Sequence, residues 1–88
     1  MRQDEKTQIK TILTAMLHNP NKVWWYASDF QSSPYFVGYE ASARMSDIKR
    51  QYDDDLVTSS NDGRYRILRI NWENKDTIKA VKEKYSIR

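Results

Sequence analysis

Residues 56–70, LVTSSNDGRYRILRI, constrain the fold more than any other stretch of the chain. Residues that favour strands flank Asn61-Asp62-Gly63, whose residue types tolerate the turn conformations a hairpin needs. Two antiparallel strands, at about 56–60 and 64–70, are therefore predicted. Around this hairpin the apolar period is helical. After Asp4, a candidate N-cap, Ile9, Ile12, Leu13, Met16 and Leu17 form the stripe of a half-buried helix, which Asn19-Pro20-Asn21 ends. Beyond the hairpin, Asn74 or Asp76 is placed to cap a last helix at about 75–86, with Ile78, Val81 and Tyr85 on one side and lysines on the other. An α+β fold follows.

Between the first helix and the hairpin the pattern is more varied. Val23-Trp24-Trp25-Tyr26 is a short bulky run suited to a strand. In a strand, adjacent Trp24 and Trp25 cannot both point inward. Ser28 and Gln31 have the spacing of a capping box, which predicts a short helix from Asp29 that Pro34 limits. The segment EASARMSDIKRQY, residues 40–52, follows Gly38. At 100° per residue, Ala41, Met45, Ile48 and Tyr52 share one face, which is assigned to the core. Ser42, Ala43, Ser46, Asp47 and Arg50 lie opposite, with Arg44 and Lys49 on the flanks.

Eighty-eight residues without an internal repeat or a Pro/Gly-rich linker suit one domain spanning 1–88. The absence of cysteine excludes a disulfide framework and thiolate chemistry. The polar opening MRQDEKTQIK is unlike a signal peptide and no apolar run reaches membrane-spanning length, so a cytoplasmic protein with no membrane contact is expected. The net charge is +3. Residues 28–55 carry three Lys/Arg against six acids, whereas residues 56–71 carry three against one, so the hairpin is basic and the middle acidic.

The order helix, short strand, helix, helix, hairpin, helix, with YASDFQ before a glycine and then ARMSDIKRQY and LVTSSNDGRYRILRI, resembles the winged-helix branch of helix-turn-helix proteins. The likeness covers about residues 7–70. It implies a three-helix core with a two- to three-stranded antiparallel hairpin wing, plus a C-terminal helix. Val23–Tyr26 would be the first strand, Asp29–Ser33 the second helix, Glu40–Tyr52 the recognition helix and residues 60–65 the wing. The connection SSPYFVGY departs from the family, being longer and more aromatic than its usual tight turn.

That resemblance implies binding to duplex DNA. A helix in the major groove presents short polar or cationic side chains to base edges and phosphates. Ser42, Ser46 and Arg50 meet that need, with Arg44 and Lys49 reaching phosphates. At the hairpin, Arg64 and Arg66 flank Tyr65 and would lie along the backbone or in a minor groove. Asp47 on the reading face and the Asp53–Asp55 triplet oppose this, unless the triplet lies away from the nucleic acid and forms the turn into the hairpin. A domain this small gains affinity from a second copy, and Ile78, Val81 and Tyr85 are the expected homodimer face.

Other readings stand beside it. An amphipathic helix with scattered Lys/Arg also describes a solvated face. Trp24, Trp25, Trp72, Phe30 and Phe36 suit core packing more than a stacking platform for single strands. His18, the one histidine, falls at a helix end as a capping or surface residue. No zinc-ligand cluster or Gly-rich phosphate loop occurs, so neither an enzyme nor a cofactor or metal is expected. The rival reading is a winged-helix-like module, of phage or mobile-element origin, that binds a host protein rather than DNA. The acidic middle and the surplus of aromatics suit it.

Overall fold

The computed structural model describes residues 4–31, 37–38 and 40–88. Asp4 caps the first helix by accepting the Thr7 N–H at 2.7 Å, and α1 runs Glu5–His18. The predicted stripe Ile9, Ile12, Leu13, Met16 and Leu17 is buried. At its far end the Asn19 side chain donates to the Ala15 carbonyl at 2.7 Å, closing the last turn before Pro20. His18 Nε2 donates to the Arg88 carbonyl oxygen at 2.7 Å.

The strand after α1 is shorter than the sequence suggests: β1 is Trp25–Tyr26. Trp25 takes the core side, 4% exposed, and stacks on Phe30 with ring centroids 5.5 Å apart. Bringing those two rings together requires the chain to turn as soon as β1 ends. It does so in one 3₁₀ turn, Ala27–Phe30, and not in a helix starting at Asp29. The cap differs accordingly. Asp29 accepts the Tyr26 N–H at 2.8 Å, leaving Ser28 and Gln31 out of that role. Ser33, Pro34 and Phe36 lie outside the described residues.

Val37 and Gly38 both donate their N–H groups to the Phe30 carbonyl, at 2.6 and 3.0 Å. The long connection thereby returns to the 3₁₀ turn before the next helix begins. Gly38 has φ 90°, which suits a residue without Cβ, and its carbonyl accepts the Ala41 N–H at 3.1 Å. Then α2 runs Ala41–Tyr52. Ala41, Met45 and Ile48 are at most 1% exposed, and Tyr52 is half-buried against the same core.

The hairpin comprises β2, Val57–Asp62, and β3, Tyr65–Ile70. With β1 it forms an antiparallel sheet in the order β1-β3-β2. Register places Trp25 opposite Leu68 and Val57 opposite Ile70, so these residues supply the sheet's share of the core. The helix α3, Lys75–Tyr85, closes the structure. Asn74 holds the N-cap position, but its side chain donates to the Asp55 carbonyl and not to the helix.

The expected dimer face is corrected by burial. Ile78, Val81 and Tyr85 are 9%, 3% and 6% exposed and belong to the chain's own core cluster, so they are not free for a second copy. With α1, α2 and the sheet leaving an apolar surface open, the amphipathic face of α3 covers it. No helix among the described residues is long and apolar enough to cross a membrane.

The two faces of α2 should respond differently to truncation. Met45→Ala is expected to lower unfolding free energy by about 2–5 kcal/mol, and Ser42→Ala by no more than about 0.5 kcal/mol, in urea denaturation read by tryptophan fluorescence.

Candidate nucleic-acid interface

The residues expected to touch DNA fall into two groups. At the hairpin, Asp62 pairs with Tyr65, leaving Gly63 and Arg64 as a two-residue loop. Gly63 has φ 61°, the left-handed conformation that a turn of the II′ kind requires at its first central position. The turn thus sits one residue later than Asn61-Asp62-Gly63 implies, and Asn61 and Asp62 extend β2. Arg64, Tyr65 and Arg66 are all exposed at this tip. Among the described residues no carboxylate pairs with either arginine.

On α2, Ser42 and Arg50 are exposed, while Ser46 and Lys49 are half-buried. Arg44 is the exception to the expectation. Its side chain is 12% exposed, with Nη1 3.1 Å from Glu5 Oε1 and Nε 3.0 Å from Asp47 Oδ2. Its position beside Met45 turns it toward α1, where it joins the two helices, so it does not reach out to a phosphate. Arg50 also pairs with Asp47. Asp47 therefore lies between two guanidinium groups, and its charge offsets theirs.

A groove of about 590 Å³ lies between the hairpin tip, the 3₁₀ turn and the first turn of α2. Ser42, Arg64, Tyr65 and Arg66 line it, joined by Ser28 and Gln31. Tyr26, Ala27 and Asp62 complete its wall, with the Tyr26 hydroxyl donating to Asp62 Oδ2 at 2.6 Å. Register explains this contact. Tyr26 opposes Ile67, Ile67 and Tyr65 share a face of β3, and Tyr65 opposes Asp62. Accepting that hydrogen bond, the Asp62 carboxylate raises the Tyr26 hydroxyl above its ordinary pKa, with smaller contributions from burial and from the charges of Asp62 and Asp29.

Five of the groove residues, Tyr26, Ala27, Ser28, Gln31 and Asp62, were not singled out as contacts from the sequence. Tyr26 and Asp62 are 36 positions apart, and only the β1-β3-β2 register brings them together. The alternation that sends Trp25 inward does indicate that Tyr26 faces out, but nothing in the sequence names its partner.

The acidic triplet lines no part of this groove. Asp53 donates its N–H to the Lys49 carbonyl at 2.8 Å, Asp54 takes φ 62°, and Asp55 Oδ1 accepts the Thr77 hydroxyl at 2.7 Å. The triplet forms the turn from α2 into β2. Among the described residues no group of three or more His, Cys, Asp or Glu side chains is arranged to hold a metal ion.

Of the aromatics, Trp25 and Phe30 are core residues. Trp24 is half-buried with the Arg69 guanidinium 5.6 Å from its ring centroid, and Trp72 is 40% exposed. Comparison with known protein families, with curated proteins and with solved structures finds no match for this chain.

The link between Tyr26 and Asp62 is open to direct titration. Ionising Tyr26 removes its donated proton and sets two negative charges side by side, so Asp62→Asn should lower the pKa of the Tyr26 hydroxyl. The phenolate absorbance of the wild type, Asp62→Asn and Tyr26→Phe, followed with pH, should show one more late-ionising tyrosine in the wild type than in either variant, with Tyr85, raised chiefly by burial, ionising late in all three.

Proposed function

We propose that the protein binds duplex DNA in the manner of a winged helix, with the outward face of α2 in the major groove and the hairpin tip against the backbone. The observation that carries this reading is the placement of Arg64 and Arg66. Both are exposed, both are free of carboxylate partners among the described residues, and both share one groove with Ser42 on the outward face of α2. Unpaired guanidinium groups on a protruding turn are suited to phosphate oxygens, and their attraction is long-ranged at low salt. The succession α1, β1, 3₁₀ turn, α2, hairpin and the sheet order β1-β3-β2 support the same reading.

Within this scheme the contacts divide by role. Arg64 and Arg66 bind phosphates, Ser42 and Ser46 approach base edges, and Lys49 contacts the backbone beside the helix. Arg50 contributes less attraction than its charge suggests, because Asp47 holds it. Arg44 contributes none. No cofactor or catalytic step enters, and a regulatory role in transcription or replication is the class of activity that such binding serves.

A second reading, a module that binds another protein, is favoured by the apolar surface at Val23, 55% exposed, and Trp72, 40% exposed. One titration separates the two. Fluorescence anisotropy of a labelled random duplex should show binding that weakens as salt rises. Arg64→Ala and Arg66→Ala should each flatten the slope of log K against log salt by about 0.9. An absence of duplex binding at low salt would transfer the function to the protein-binding module.

A further inference from the structure

We propose that the groove beside the hairpin tip receives an unpaired base, so that the preferred ligand is a duplex with a single-stranded overhang and not a continuous duplex. The inference rests on the DNA-binding reading and specifies its substrate.

It starts from Tyr65. This side chain is 63% exposed at the end of a two-residue hairpin, where it adds nothing to the core. A phosphate offers no face on which a phenol ring can stack, and a base inside a duplex has both faces covered by its neighbours. An unstacked base has a free face, and base–aromatic stacking needs no particular base. Arg64 and Arg66 neighbour Tyr65 in sequence and line the same groove, where they offer cations to the phosphates of the bound strand.

The groove has the remaining features of a base site. Its volume, about 590 Å³, lies within the range of sites that hold small organic ligands. Beyond Tyr65 its wall presents Ser28, Gln31, Ser42 and Asp62, groups suited to the hydrogen-bonding edge of a base. Asp62 separates this site from a phosphate cradle. A carboxylate repels phosphate but accepts from the amino and imino groups of a base edge. It is also held in place, since the Tyr26 hydroxyl donates to it at 2.6 Å. Cations at the rim and a fixed acceptor within suit a nucleotide whose phosphates stay outside while its base enters.

The test is the ratio of affinities for two labelled probes, a duplex with a short single-stranded overhang and the same duplex with blunt ends, with the single strand alone as a third. The wild type should bind the overhang probe at least about fivefold more tightly than the blunt one, and more tightly than the single strand. Tyr65→Ala should bring the ratio of overhang to blunt affinity to one, and Tyr65→Phe, which keeps the ring, should preserve it. Arg64→Ala should weaken both duplex probes in parallel and leave the ratio intact. Equal affinity of the wild type for blunt and overhang probes would overturn the base site while leaving duplex binding in place. A single strand that binds as tightly as the overhang duplex would overturn it as a junction site. Failure of every probe at low salt would overturn this inference and the proposed function together.

Discussion

The commitment of Ala41, Met45 and Ile48 to the core is the constraint from which the candidate interface follows. These residues are at most 1% exposed, wedged between α1 and the sheet. Because a helix turns about 100° per residue, fixing one face of α2 fixes the other. Ser42 and Arg50 are outward for that reason, and Ser46 and Lys49 lie partly so. The same rotation turns Arg44 onto Glu5, which changes a presumed phosphate contact into a brace between helices. The helix cannot be rotated to bring Arg44 back out without burying Ser42 or exposing Met45.

A buried polar centre holds the other end of α2 in register with the hairpin. Asn71 is 5% exposed, donates through Nδ2 to the Asp55 carbonyl at 3.1 Å and accepts the Thr58 hydroxyl at 2.6 Å. Its backbone N–H donates to the Leu56 carbonyl at 2.9 Å. A buried amide is tolerated only when its donors and acceptors are matched, and here they bind the α2–β2 turn to the end of β3. Asn74 and Thr77 add the start of α3 to the same point. The acidic triplet is thus a structural turn, its charges kept away from the groove between α2 and the hairpin tip.

Charge compensation then decides which cations remain available. On α2, Asp47 offsets Arg44 and Arg50, so this helix offers shape and hydroxyl groups more than net charge. At the hairpin tip Arg64 and Arg66 have no such partner among the described residues. The balance of attraction therefore shifts from the helix to the hairpin. There Tyr65 and the Tyr26–Asp62 pair give the cations a setting that phosphate binding alone does not require.

The sequence by itself determined the α+β class, the approximate bounds of α1, α2, the hairpin and α3, and which face of α1 and α2 is apolar. Each rests on interactions between near neighbours: a 3.6-residue period, an Asp4 cap and a Gly63 turn. Tertiary structure decided the rest. The 3₁₀ turn replaced the expected second helix because Trp25 and Phe30 must stack, a demand that a capping pattern at Ser28 and Gln31 does not express. The apolar stripe Ile78, Val81 and Tyr85 was legible as sticky, but whether it meets its own chain or a second copy depends on what surface the other elements leave open. The groove was legible only in part: Ser42, Arg64, Tyr65 and Arg66 were expected contacts, but that Tyr26 and Asp62 join them depends on the register of separate strands. Periodicity records which side a residue faces, and only the packed register of strands and helices records what stands opposite it.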